Sequence, residues 1–312
     1  MTVGDVVLDV VVEREAQLVH GSDTPGRLVF RVGGSAANAA RAFVTLGGEA
    51  VFIGSVGDDG AGRALATALR RAGVTTHVAV HARLRTARLL LSLAADGERT
   101  FVTERGAADL LEPGDLDDAW FRRASALHLP LYSLTSEPLG AAARRAVGFV
   151  RSGTVAAARP GPATIVSVDL ASVGPIHAIG ARAAAALVEA VAPDVLFANA
   201  GEAALFGVRS SPKRLLGLAP VVVVKQGEAG CEVLMRGPAD GAPHRFTVAT
   251  RPIVVSDTTG AGDAFDAGFL SVLSGMDAPV NELTASHLRR AAVAANRAAA
   301  TAITSRRVEL DW

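Results

Sequence analysis

Apolar residues fall in short runs, separated by stretches where they recur every three to four positions, and this alternation sets the expected elements. "VGDVVLDVVV" reads as a strand, followed by the helix "AANAARAFVTLG" with Gly47 and Gly48 as its stop. Three strand–helix pairs follow: "AVFIG" with "AGRALATALRRAG", "SALHLP" with "PLGAAARRAVGFVR", and "ATIVSVD" with "GARAAAALVEAVA". "DVLFAN" is a strand before the short helix "GEAALFG", and "PVVVVKQG" and "GCEVLM" are strands joined by a glycine-containing turn. Helices over about Ala261–Ser274 and Leu283–Ile303 close the chain.

Short, continuously apolar strands between helices mark a mainly parallel sheet covered on both faces. The expected fold class is a doubly wound α/β domain spanning 1–312. Two regions break the rhythm, about 10–32 and 76–105. The second holds the strand-like pieces "VTTHVAVH", "TARLLLSLA" and "RTFVTE" with no helix between them and a turn at 95–98. These pieces are expected to form a small β-sheet standing off the main one as a lid. "AAARPGPA", 156–163, reads as a surface loop.

Half of the residues are apolar and 20% are charged, a globular composition. The 31 Lys and Arg balance the 31 Asp and Glu, so no overall basic field points to nucleic acid or an anionic membrane. No apolar run reaches the roughly 18 residues of a membrane span. The segment "MTVGDVVLDVVVEREA" has neither a basic leader region nor a small-residue cleavage site, so a cytoplasmic location is expected. The one cysteine, Cys231, excludes an intrachain disulfide and, within "GCEVLM", reads as an inert core thiol. The seven histidines show no metal-ligand spacing.

The chemistry concentrates in "PIVVSDTTGAGDAF", a strand, a glycine-rich turn and a helix. In open α/β sheets ligands lie beyond the carboxyl ends of the strands. Gly260 and Gly262 remove side chains where the backbone must turn and approach a ligand. The first helical amides lack intrahelical acceptors, and the helix dipole adds to them, so the turn suits a phosphate. The pattern is not the G-x-x-x-x-G-K-[ST] loop. Asp263 stands in the first helical turn beside this anion hole. A carboxylate there opposes phosphate, which makes chemical sense if it accepts the proton of an attacking hydroxyl. The helix end favours its charged form, so a ready but weak base is expected. The plainer reading is an acidic residue at a helix start.

"DTTGAGDAF", 257–265, resembles the C-terminal signature of the ribokinase-like (PfkB) carbohydrate kinase family. "VGGSAANAA" is similar to its N-terminal signature and "GSVGDDGAGRAL" to the segment that follows. "NAGE" fits its Asn-x-x-Glu motif and "VVVKQGEAG" its nucleotide-side strand and turn. The five matches stand in family order along nearly the whole chain.

The resemblance implies an alcohol-group phosphotransferase that uses ATP and Mg²⁺, with Asp263 as base and the backbone of Gly260, Ala261 and Gly262 on the transferred phosphoryl group. It places Asn199 and Glu202 near the phosphates, with Glu202 reaching Mg²⁺ through water. The same pair also reads as a helix capping box. Lys225, Gly227 and Gly230 fall on the nucleotide side, and Asn296 where the family contacts adenine. On the acceptor side the resemblance implies Asp9, placed beyond the end of the first strand, with Gly33, Gly34 and Asn38. Arg105 lies in "RTFVTERGAADLLEPGDL", a fragment similar to the fructokinase and 2-keto-3-deoxygluconate kinase branches, and the resemblance implies that it faces and binds the acceptor. Asp257 and Thr259 would give carbonyls to a monovalent cation. Arg307 and Val308 replace the family's Gly-Ala turn there, so a potassium requirement does not follow.

The acceptor implied is a small sugar or sugar acid resembling fructose, 2-keto-3-deoxygluconate or ribose. A homodimer through the lid is an assembly known in the family. A nucleoside kinase of the same fold stays open, with Phe30 and Phe101 available to stack on a base, although aromatics are only 4% of the chain. A binding protein without catalysis also stays open, although the retained turn and Asp263 argue against it. A nicotinamide-dependent dehydrogenase would need G-x-G-x-x-G directly after the first strand, and that order is missing.

Overall fold

The computed structural model describes residues 1–14, 20–93, 99–152, 163–207, 213–237, 242–253, 257–276, 278–305 and 309–310. A nine-stranded sheet has the order β13-β12-β11-β10-β9-β8-β1-β4-β5. In chain order its strands are β1 (Thr2–Val3), β4 (Val51–Gly57), β5 (Thr75–His81), β8 (Ala126–Pro130), β9 (Ile165–Asp169), β10 (Val195–Asn199), β11 (Val221–Lys225), β12 (Cys231–Met235) and β13 (His244–Val248). The strands from β5 through β11 in this order run parallel, and β12 and β13 close one edge antiparallel. A second, four-stranded sheet has the order β3-β2-β6-β7, formed by β2 (Val7–Arg14), β3 (Gly26–Gly33), β6 (Arg88–Leu93) and β7 (Arg99–Glu104).

Successive residues of a strand face opposite sides of the sheet, so each apolar strand feeds two cores. Leu196, Val222 and Val224 face the helices Leu139–Arg151 and Ala181–Val191 in one core. Val195, Phe197, Val221 and Val223 face the helices Ala261–Ser274 and Ala285–Thr304 in the other. Phe197 meets Phe265 and Phe269 edge-on there, at 6.5 and 5.5 Å between ring centres. This packing seats the helix that begins at the glycine turn. Cys231 lies in the same core, and burial pushes its thiol up to about 12, as expected of an inert core cysteine.

Three elements differ from the pattern reading. The expected first strand is two. β1 belongs to the large sheet and β2 to the small one, and the chain crosses over at Gly4, whose φ is 154°. A side chain at Gly4 would run into the Ser133 hydroxyl, so only glycine lets the backbone pass. Asp9 is therefore inside β2, paired with Arg31 of β3, rather than beyond a strand end. Thr75–His81 was expected in the lid but is the edge strand of the large sheet, parallel to β4. The helix Gly60–Arg71 between the two strands makes the crossover that a parallel pair requires. β13 carries no apolar run and was missed; it is held by pairing with β12. The expected strand before Asp257 is not a strand at Pro252 and Ile253, and its remaining residues 254–256 lie outside the described ones, as do the expected turn at 95–98, most of the 156–163 loop, and Arg307 and Val308.

Candidate active site

Parallel strands β9, β10 and β11 end at Asp169, Asn199 and Lys225, and the Ala261–Ser274 helix starts beside them. Gly260 caps this helix in the left-handed region, with φ 74°. The Ala261 amide donates to the Thr258 carbonyl at 3.2 Å and closes the turn. Of the three amides expected to face a phosphate, Ala261's is thus engaged, and those of Gly260 and Gly262 have no acceptor among the described residues.

Asp263 is buried in the first turn, and Asn38 Nδ2 donates to its Oδ2 at 3.0 Å. A side chain added at Gly260 would lie 3.7 Å from Asn38 Nδ2 and 3.9 Å from Asp263 Oδ2, so these three positions converge. Burial, followed by the negative charge of Asp169, pushes the Asp263 carboxyl up to about 7. The weak base expected from the helix dipole is therefore a near-neutral base, because loss of water outweighs the dipole. Sequence reasoning missed this balance.

The acceptor-side residues gather at the join of the two sheets. Asp9, Arg31, Asn38, Thr259 and Gly260 line the same end of an open groove of about 380 Å³. The remainder of the groove runs along the helices Ser35–Thr45 and Ala285–Thr304, away from Asp263, so only its first end belongs to this site. Gly33 has no side chain because Asp9's carboxylate sits where one would be. Gly34, with φ 93°, packs against the Asp5 carbonyl, where a side chain would come within 2.6 Å.

Arg105 sits at the end of β7, and its guanidinium donates to Asp5 at 2.8 Å and to Asp109 at 2.7 Å and lies over the Tyr132 ring. It ties the small sheet to the crossover segment, and its neighbours hold it charged. Phe30 packs on the core near Phe52, whereas Phe101 is exposed on the other face of the small sheet, so the two do not form one stacking slot.

On the opposite side, Asn199 and Glu202 form the expected capping box. The Asn199 backbone amide donates to Glu202 at 2.7 Å, and the Glu202 amide donates to Asn199 Oδ1 at 2.9 Å. Burial and the charge of Asp169 push the Glu202 carboxyl up to about 7. Lys225 Nζ is held by Asp169 at 2.9 Å and by both carboxyl oxygens of Asp266 at 3.2 Å. Asp169 and Asp266 were not singled out from sequence. The one local signal was a second acid three residues after Asp263 in an otherwise apolar helix. Gly227 opens the turn after β11 with φ 59° and clear space around it, while Gly230 lies against the Val248 carbonyl. Asn296 Nδ2 points at the carbonyls of Val248 and Ala249 and straps the last helix to the segment after β13.

Asp257 accepts from the Thr259 amide at 2.9 Å and from Arg31 at 3.2 Å. Arg31, also missed, brings a cation from the small sheet onto the first residue of the glycine turn. Among the described residues no group of three or more His, Cys, Asp or Glu forms a metal cage. One buried carboxylate such as Glu202 fits a divalent ion that keeps its waters and is held mainly by phosphate. No helix among the described residues is long and apolar enough to cross a membrane.

The model of the pfkB family of carbohydrate kinases matches residues 1–150 and 169–311. The chain is 31% identical to a fructokinase of Klebsiella pneumoniae over 89% of this chain and 85% of that protein. Its fold is similar to that of the Vibrio cholerae O395 fructokinase solved with fructose, ADP and calcium, with 24% identity, a TM-score of 0.76 and coverage of 97% and 92%. It is similar as well to adenosine kinase from Sinorhizobium meliloti, with 23% identity, a TM-score of 0.77 and coverage of 97% and 93%.

Proposed function

The chain belongs to the pfkB family of carbohydrate kinases, and on that premise we propose that it transfers the γ-phosphoryl group of ATP to a hydroxymethyl oxygen of a small sugar, fructose being the acceptor best supported. The observation that carries this reading is Asp263, buried, oriented by Asn38 and placed at the helix start directly after Gly260. Its carboxylate takes the proton of the sugar hydroxyl as that oxygen bonds to the γ-phosphorus. The bond from the γ-phosphorus to its bridging oxygen breaks, and ADP leaves. The Gly260 and Gly262 amides meet the charge that develops on the phosphoryl oxygens.

Asp9, over Gly33, orients the sugar hydroxyls, and the small sheet acts as a lid over 10–32 and the strands β6 and β7. Arg105 braces that lid through Asp5. Gly227 and Gly230 shape the turn along which the nucleotide lies, and Asn296 holds the neighbouring segment. Glu202, with Asn199, would hold Mg²⁺ through water. When bound, that ion neutralises phosphate charge. The Arg31 guanidinium pairs with the Asp257 carboxylate, so a monovalent cation there would be held by the carbonyls of Asp257 and Thr259 alone. Leu28, Leu90 and Val102 are exposed on one face of the small sheet, which supports a homodimer through it.

ADP release with MgATP and fructose, ribose, 2-keto-3-deoxygluconate or adenosine tests the reading. Fructose is expected to give the highest kcat/KM. Turnover of adenosine with none of the sugars would replace this reading by that of a nucleoside kinase, and no turnover with any of them by that of a binding protein.

A further inference from the structure

The Lys225 side chain is largely shielded from solvent, with 13% of it exposed. It is enclosed by Asp169 at the end of β9, Asp266 of the Ala261–Ser274 helix and the ring of Phe197, 5.9 Å from its centre. It also lies directly behind the glycine turn. A methyl group added at Gly262 would come within 3.3 Å of Lys225 Nζ. Gly262 is therefore small for two reasons: it turns toward the phosphoryl group on one side, and it leaves room for a buried cation on the other.

Asp169 and Asp266 are shifted in opposite directions. Asp266 is fully buried beside Asp169 and Asp263, which raises its carboxyl well above the usual range, whereas the Lys225 ammonium holds that of Asp169 below it. Lys225 pairs with both, at 2.9 and 3.2 Å. Removing one partner of such a pair leaves an uncompensated buried charge.

We propose that the Asp169–Lys225–Asp266 cluster is a positioning device for phosphoryl transfer: from behind the glycine turn it sets the electrostatic field at the Asp263 carboxyl and at the Gly262 amide. The proposal rests on the reading of Asp263 as the base. The charged groups that face Asp263 are Asp169 from the end of β9, Lys225 from the end of β11 and Asp5 from the crossover after β1; Asp266 lies on its own helix, and Asn38 is its neutral partner. Asp169 and Asp5 favour the protonated form of Asp263, and Lys225 and the Asn38 amide favour the charged form. Lys225 therefore holds the base active at a lower pH than burial alone would allow. Its charge also adds to the dipole that receives the phosphoryl group. Asp169 and Asp266 act through Lys225 and touch neither reactant.

The test is the pH profile of kcat/KM for fructose at saturating MgATP, measured for wild type, Lys225→Met, Lys225→Arg and Asp263→Asn. In Lys225→Met the acid limb is expected to move up by about one pH unit. In the same variant kcat on the plateau falls by at least about tenfold while the KM for MgATP is kept. Lys225→Arg retains the charge and is expected to keep the limb in place. A folded Lys225→Met variant with the limb of the wild type overturns the proposal. Should Lys225→Met not fold, the variant Asp169→Asn with Lys225→Met removes both charges together. Its kcat is expected to fall at least about tenfold, and a wild-type kcat in that folded double variant overturns the proposal. Asp263→Asn separates the two levels. If it turns over normally, the base assignment fails. If it is inactive and the Lys225→Met limb does not move, only the role of the cluster fails.

Discussion

At the ends of β9, β10 and β11 four acids are buried, each bound to a less buried partner: Asp169 and Asp266 to Lys225, Glu202 to Asn199, Asp263 to Asn38. In the four-stranded sheet the arrangement is reversed. Its ion pairs, such as Arg27 with Glu13 and Arg88 with Glu104, are solvent-exposed, and Leu28, Leu90 and Val102 face outward. Exposed pairs contribute little and are screened by salt. The small sheet is fixed to the body by Leu8, Val32 and Phe30, which pack with Phe52 and Leu65, and by ion pairs such as Arg105 with Asp5 and Arg31 with Asp257. The contrast separates two tasks. In the proposed function the buried end would set charge and geometry for the chemical step, and the small sheet would close over the acceptor and select it. Changes at the first are expected in kcat and in pH dependence, and changes at the second in KM and assembly.

The largest effect that can sharpen this division is that of Asp263→Asn. Its kcat is expected to fall by about three orders of magnitude, with the sugar affinity measured calorimetrically close to that of wild type. Affinity lost in proportion to kcat would move Asp263 to the binding side and break the comparison. The same substitution has a stability signature. The folded-state pKa of Asp263 is raised to about 7, above its unfolded value, so the folded form binds the proton more tightly and loses stability as pH rises from about 4 to 7. Asp263→Asn is expected to raise Tm at pH 8 and to change it little at pH 4. An equal shift at both would mean that the carboxyl is not perturbed.

Asp9→Ala should act on the other side of the division. The KM for the sugar is expected to rise about tenfold, with kcat within about threefold of wild type. A change in Tm alone, with both constants kept, would make Asp9 a structural partner of Gly33. The smallest effect concerns assembly. Leu90→Lys places a charge on the exposed apolar face and is expected to shift sedimentation from dimer toward monomer with turnover nearly unchanged. A wild-type sedimentation profile would leave the small sheet as a lid only.

How far the sequence reaches follows the same contrast. Gly260, Gly262 and Asp263 were legible because turn and helix start are adjacent in the chain, and their chemistry follows from backbone geometry. The capping box of Asn199 and Glu202 was legible for the same reason. Asp169 and Lys225 meet only because β9, β10 and β11 lie side by side, and strand order is not written in local periodicity. Arg31 reaches Asp257 across 226 positions, beyond any local signal. The division of the first apolar run failed for a different reason. Val6 to Val12 is strand-like and Gly4-Asp5 ahead of it is the one local break, but only the packing of Ser133 against Gly4 shows that the chain changes sheets there. β5 was assigned to the lid from its lack of a following helix, whereas the helix that precedes it decides its place.

In the proposed function Asp263 is a buried carboxyl, raised to about 7, that stands at the head of the glycine turn to take a proton from an alcohol. A carboxyl ¹³C titration of the ligand-free protein, with the Asp263 resonance assigned by its disappearance in Asp263→Asn, tests this most directly. A midpoint near 7 is expected. A midpoint near the ordinary aspartate value of about 4 would contradict it.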